Sequence, residues 1–242
     1  MAVNGRMPLR RPLVVLAFVL ATVLGAAPAV VGDAIGRSPA TGSRPATGLW
    51  TGTVSIWRST AFASQHDSVT CTAAAVQMML NLVLNRSRHD AAEQDAILDY
   101  EQRSDTLAES DGSDPHGWAL ALRYFGSSRT QTYHWERYAS YAAAVRAAAH
   151  DLRMTGKPVG LLVYGGTHAN VMVGFKATAD PALGGSFNVT SVQIAGPWYP
   201  RAGLDPPPGT WLSNSSLAGR FDRYDERDGL SAWVGHWVIV AP

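Results

Sequence analysis

Apolar positions recur along the chain with two periods, helical in the first half and strand-like in the second. Between Thr72 and Leu84, residues Ala73, Ala74, Val76, Met79, Leu80, Val83 and Leu84 cover much of a helical circumference. This predicts a central helix that is largely buried. Asp90 to Arg103 has the spacing of a surface helix, with Ala96, Ile97 and Tyr100 facing inward and Asp90 and Glu93 in capping-box positions. Pro115 to Phe125 predicts a shorter helix, capped by Asp114, opened by Pro115 and ended by Gly126. Ser140 to Met154 is a run of strong helix formers that stops at Gly156.

Strand signals bracket and follow these helices. Thr51 to Arg58 alternates, with Val54 and Ile56 on one face, and Thr130 to Trp135 is a second short candidate. Val159 to Tyr164 and Thr167 to Phe175, joined through Gly165-Gly166, are continuous apolar runs typical of buried strands. Phe187 to Ala195 alternates, the stretch from Pro197 is loop-rich, and Trp233 to Val240 predicts a closing strand. Helices followed by strands predict an α+β domain in which N-terminal helices pack on a C-terminal antiparallel sheet.

The domain is expected to span residues 50–242. Residues 1–31 read as an export signal, because Arg6, Arg10 and Arg11 precede the apolar run Leu13 to Val31, and Ala27-Pro28-Ala29 offers a cleavage site. That run is about long enough to remain as a membrane anchor instead. Residues 32–49, rich in Gly, Pro, Ser, Thr and Ala, read as a flexible tether. The expected location is therefore secreted or extracytoplasmic, with membrane contact only through the N-terminal segment.

Composition narrows the function. The 242 residues are 46% hydrophobic and 16% charged, as in a globular protein with a sizeable core. The formal net charge is +1, and without the three arginines of the leading segment it is about −2, which gives no field for nucleic acid. Cys71 is the single cysteine, so no intramolecular disulfide can form. A lone thiol in an exported chain is either inert and buried or reactive.

Its position favours reaction. Cys71 stands where the polar run Ser64 to Thr70 meets the apolar helix, and a thiol at a helix N-terminus faces unpaired N–H groups and the positive end of the dipole. Gln65, six residues upstream, can aim its amide at the same spot as the Cys71 N–H, completing an oxyanion hole. Of the seven histidines, His168 is the best placed as base, since it follows a Gly-Gly turn at the start of an apolar strand. A thiolate and an imidazole on facing walls are what a nucleophilic ion pair needs. His66, beside Gln65, and Trp198 are cleft candidates. There is no G-x-S-x-G elbow and no glycine-rich phosphate loop with lysine, and His116 and His134 lack the spacing of a metal site.

Gln65, Cys71, the apolar helix behind them and the strand Gly165-Gly166-Thr167-His168-Ala169-Asn170-Val171-Met172-Val173-Gly174-Phe175 together resemble the papain-like cysteine peptidases. Within them the chain is most similar to the peptidase C39-like family, related to the domains that process double-glycine leader peptides. The resemblance implies a papain-like fold, Cys71 as nucleophile, His168 as general base and acid, and Gln65 as oxyanion donor. It also implies a peptide or protein substrate, and it calls for no cofactor and no metal.

Two departures stand out. Cys71 is followed by Thr72-Ala73-Ala74 where the family has Gly-Pro-Ala, and Gly196 stands where the family has the Asp or Asn that orients the histidine. Three explanations are open. The acceptor comes from elsewhere, with Gln193, Asn188 and Asp205 as candidates; the enzyme runs on a Cys-His dyad; or the domain is an inactive C39-like module that binds a peptide or a cell-envelope component. Acyl transfer of the transglutaminase type is a further alternative to hydrolysis.

Overall fold

The computed structural model describes residues 50–107, 111–201, 203–225 and 232–242. The export signal or anchor expected over 1–31, its Ala27-Pro28-Ala29 site and the tether over 32–49 lie outside the described residues. Among those described, no helix is long and apolar enough to cross a membrane.

Among the described residues the α-helices and strands follow in chain order as β1 (Thr53–Ser55), α1 (Cys71–Leu84), α2 (Ala91–Ser104), α3 (Pro115–Phe125), β2 (His134–Tyr138), α4 (Tyr141–Thr155), β3 (Val159–Val163), β4 (His168–Ala177), β5 (Val189–Ala195), β6 (Thr210–Ser213), α5 (Asn214–Ala218) and β7 (Trp237–Ala241). The strands form one antiparallel sheet in the order β2-β7-β3-β4-β5-β6. β4 is its axis. Its first half pairs with β3, from Val163 opposite His168 to Val159 opposite Met172, and β1 takes up its second half through Thr53 to Ser55.

Helices cover both faces of the sheet. On one face α1 and α3 pack on Leu162, Ala169, Val171, Val173, Val238 and Val240, and α2 lies against α1 and α3. On the other face α4 packs on Leu161, Val163, Met172, Ile239 and Ala241. Successive residues of β3, β4 and β7 thus enter different cores, which is why their sequences are continuously apolar and do not alternate. The expectation of a mixed helical and antiparallel domain is met in that form, with the correction that α4 lies across the sheet from α1 and α3.

Capping accounts for the helix ends that were legible. Asp114 accepts from the His116 and Gly117 N–H groups, Ser140 accepts from Ala143, and Gly156 closes α4 at φ 65°. Other local signals misled. The Asp90 side chain makes no cap bond, and Glu93 instead takes a hydrogen bond from Gln77 and an ion pair from Arg86. β2 begins at His134 and not at Thr130, because Ser127 and Thr130 form a capping box around a 3₁₀ turn. The inward face of α2 is Gln94, Ile97 and Glu101, while Ala96 is exposed.

Buried amides tie α1 to the loop before it. Gln94 Nε2 donates to Gln77 Oε1 and to the Ser64 carbonyl, and Gln94 Oε1 accepts from the His66 N–H. Asn81 holds the Ala61 and Arg88 carbonyls from the next turn of α1. We expect Gln94→Leu, which leaves these buried partners unpaired, to lower stability by about 1–3 kcal/mol in denaturant unfolding at an unchanged m value.

Candidate active site

The loop into α1 is shaped by Asp67. Its Oδ1 accepts from the Val69 and Thr70 N–H groups at 2.8 and 2.9 Å, turning the chain so that Cys71 becomes the first residue of the helix. The first-turn N–H groups of any α-helix lack intrahelical acceptors, so an unpaired N–H and the positive dipole end lie at the residue that carries the sulfur. Cys71 is half-buried.

His168 opens β4 directly after the turn Tyr164-Gly165-Gly166, and its side chain is 5% exposed. Its Nε2 lies 2.8 Å from Oδ2 of Asp205, a side chain with no exposed surface. Asp205 receives two more donors, Asn170 Nδ2 at 2.9 Å and the Trp198 N–H at 2.8 Å. Burial works to raise the Asp205 pKa, but these bonds and the His168 charge outweigh it and hold the carboxyl below its usual range. An ionised carboxylate only accepts, so Nε2 carries the hydrogen and donates it.

That assignment leaves Nδ1 as the second ring nitrogen, and the Cys71 side chain is among the neighbours that raise the ring's pKa. Burial is the largest single influence on the ring and lowers its pKa. The bond to Asp205 and the Cys71 side chain, with their charges, together exceed it and push the imidazolium up to about 9. Three segments far apart in sequence therefore act on one ring: the start of α1, the start of β4 and the loop after β5.

The structure places the three candidate acceptors differently. Asp205 is against His168. Gln193 clamps β1 to the loop before β6, accepting from Ser55 Oγ and donating to the Gly209 carbonyl. Asn188 bonds Thr178 at the opposite end of β4, roughly 30 Å along the strand from His168. Gln193 and Asn188 are corrected on this ground. Gly196 explains why the acid comes from position 205: a Cβ built at 196 would lie 2.0 Å from Asp205 Cγ. The missing side chain is the space that the Asp205 carboxylate fills.

Of the remaining candidates Trp198 meets the His168 ring, whereas His66 does not. Gln65 is buried; its Nε2 donates to the Asp67 carbonyl at 2.7 Å, and its backbone N–H donates to the Pro197 carbonyl. His66 points away, with Nε2 2.7 Å from Asp95. The Trp198 ring meets His168 edge-on at 6.4 Å and stacks under the Arg201 guanidinium, whose nitrogens bond the His66 and Asp67 carbonyls. The loop with Trp198 is thereby fastened to the loop with Gln65.

Two participants were not read from the sequence. Asn170 looked like one more residue of an apolar strand, although its position two after His168 puts both on one side of β4. Glu101 lies wholly buried beside α1 and accepts from Thr72 Oγ1 at 2.8 Å. Burial pushes its carboxyl well above the usual range, against the bond from Thr72 that lowers it. Among the described residues no cluster of His, Cys, Asp or Glu could hold a metal ion.

No protein-family model and no curated protein matches the chain. Among solved structures it is similar to the crystal structure of UfSP from C. elegans, with 13% identity and a TM-score of 0.43 over 75% of this chain and 32% of that one. The chain thus spans about a third of that protein's length. What the site can do follows from its own residues.

Gly196→Ala should expel the Asp205 carboxylate, drop the His168 pKa and destabilise the protein. In an Asp205→Ala background the same substitution should cost little, a non-additivity that a double-mutant cycle reads directly. Stability should also depend on pH through the ring. A histidine raised from its ordinary 6.5 to about 9 stabilises fully below 6.5, and this contribution fades as pH rises through 9. The stability gap between wild type and Asp205→Asn should be larger at pH 6 than at pH 9.5.

Proposed function

We propose that the chain is an exported cysteine hydrolase of the papain-like type that cleaves peptide or amide bonds through Cys71 and His168. The observation that supports this most is the buried Asp205 carboxylate 2.8 Å from one nitrogen of His168, with Cys71 at a helix start among the groups that raise the ring's pKa. A histidine held only as a structural element needs one partner. Here one nitrogen is fixed by a carboxylate with three donors, and the other is left facing a sulfur at a helix start.

In this reading the Cys71 thiolate attacks the substrate carbonyl, and the negative oxygen faces the Cys71 N–H and the Gln65 amide. Gln65 Nε2 bears two hydrogens, of which the Asp67 carbonyl takes one. The protonated His168 gives its Nδ1 proton to the leaving amine, and a thioester remains on Cys71. Neutral His168 then takes a proton from water as it attacks the thioester. The acid product leaves and Cys71 is again a thiolate beside imidazolium. Asp205 keeps Nε2 protonated and the ring oriented throughout.

Kinship with the C39-like family and export rest on the sequence: the Gly165 to Phe175 motif for the first, the basic and apolar segment 1–31 for the second. The inactive alternative drew its support from Gly196, and a carboxylate from Asp205 occupies that space. The substrate class in this reading is a peptide or protein.

Iodoacetamide alkylation of Cys71 at pH 6, compared between wild type and variants, tests the pairing of the sulfur with His168. Asp205→Asn should slow alkylation at that pH by weakening the imidazolium. A wild-type rate that follows an ordinary thiol profile contradicts the ion pair. Where a peptide substrate is turned over, kcat/KM should fall on the alkaline side through about pH 9, as His168 loses the proton it must donate. Asp205→Asn should lower turnover by one to four orders of magnitude, the upper figure being the ~10⁴ that a serine triad loses with its acid.

A further inference from the structure

The acid behind His168 arrives on a loop and not on the sheet. Between β5 and β6 the chain runs through Pro197, Pro200, Pro206, Pro207 and Pro208, Gly203 takes φ +113°, and Leu204 is exposed. Such a segment has little packing of its own, yet Asp205 must stay within hydrogen-bond distance of the ring. Its side chain is held only as well as its backbone.

The backbone next to Asp205 is gripped from the other side of the histidine. The Leu204 carbonyl accepts from the Tyr164 hydroxyl at 3.1 Å and from Arg220 Nη1 at 3.2 Å. The peptide group is planar, so fixing the Leu204 carbonyl fixes the nitrogen and Cα of Asp205 in the same plane. Tyr164 is itself set with care. It is a non-glycine residue at φ 54°, in the left-handed region, followed by Gly165 and Gly166 with positive φ. The segment after α5 holds that turn: Tyr164 N–H bonds the Arg220 carbonyl, Gly165 N–H bonds Asp222 Oδ1, and Asp225 N–H bonds the Gly165 carbonyl. The phenol ring lies between the Arg220 guanidinium at 6.0 Å and the His168 ring at 6.3 Å.

We infer that Tyr164, with Arg220, is a positioning residue that holds Asp205 against His168 through the Leu204 carbonyl. The inference rests on the reading of Cys71 and His168 as the reacting pair. It gives the unusual backbone of Tyr164 a role: the turn that delivers His168 to β4 also carries the hydroxyl that sets the distance to its acid. The two halves of the His168–Asp205 bond then share one anchor.

The test reads the His168 ring by NMR titration in wild type, Tyr164→Phe, Arg220→Gln and Asp205→Asn, with each of the first two substitutions also made on Asp205→Asn. The titratable groups at the ring are Cys71 on α1, Asp205 and Tyr164, with Arg220 and Asp222 beyond the phenol. Burial holds the phenol above its ordinary range, so Tyr164→Phe changes no charge where the ring titrates. Tyr164→Phe should move the His168 midpoint down from about 9 toward that of Asp205→Asn, and should have no further effect on Asp205→Asn. Arg220→Gln should act in the same direction and serves alone if Tyr164→Phe does not fold. An unchanged midpoint in both variants overturns the inference, and so does an equal shift with and without Asp205. Alkylation of Cys71 at pH 6, followed in parallel, should slow severalfold in Tyr164→Phe. If His168 responds as expected while wild-type Cys71 alkylates as an ordinary thiol, the positioning role stands and the catalytic reading fails.

Discussion

The bond between His168 Nε2 and the Asp205 carboxylate is the constraint on which the site depends, because a charge with no exposed surface must be matched where it lies. The match comes from three donors on two segments, His168 and Asn170 from β4 and the Trp198 N–H from the loop that also carries the acid. Removing one of them leaves a buried carboxylate short of partners, which costs far more than the bond is worth in isolation. The end of the sheet and the loop after β5 are therefore coupled: neither can move without the other. The raised pKa of His168 is the electrostatic record of that coupling.

The fold provides what this bond needs. With helices on both faces, β4 is a rigid buried axis, and its first residue is a histidine placed where the strand leaves the two cores. α1 is fixed on one of those faces and begins at Cys71, so the sulfur and the ring belong to two elements that share a core. The loops lack regular structure but are tied by polar bonds: Arg201 to the His66 and Asp67 carbonyls, Ser64 Oγ and the Gln65 N–H to the Pro197 carbonyl. Cys71 and His168 are set by regular elements, and Asp205 is set by hydrogen bonds.

This division matches what could be read from residues alone. α3 and α4 were legible to within a residue because Asp114, Ser140 and Gly156 mark their ends with side chains of known local effect. β3 and β4 were legible because double burial leaves an uninterrupted apolar run. β6 and α5 were not, since Thr210 to Ser213 is a partly exposed edge strand and Asn214 to Ala218 is barely more than one turn. On α2 Ile97 is buried as expected, but buried Gln94 and Glu101 were missed and Ala96 is exposed, because a pattern of apolar positions is blind to polar groups that find partners. Cys71 and His168 were visible as candidates from where each stands in its element. Asp205 was visible only as one of three, since no periodicity governs a proline-rich loop, and Gly196 showed that something was missing without showing what had replaced it.

The central claim is that the line Cys71, His168, Asp205 makes one nucleophile out of three segments. A peptidyl electrophile that mimics an acyl donor, read by intact-mass spectrometry at neutral pH, tests it most directly. The account predicts a single adduct on Cys71 in the folded protein, strongly slowed in His168→Ala and slowed in Asp205→Asn. Labelling that is equal in the folded and the denatured chain, or unaffected by loss of His168, contradicts it.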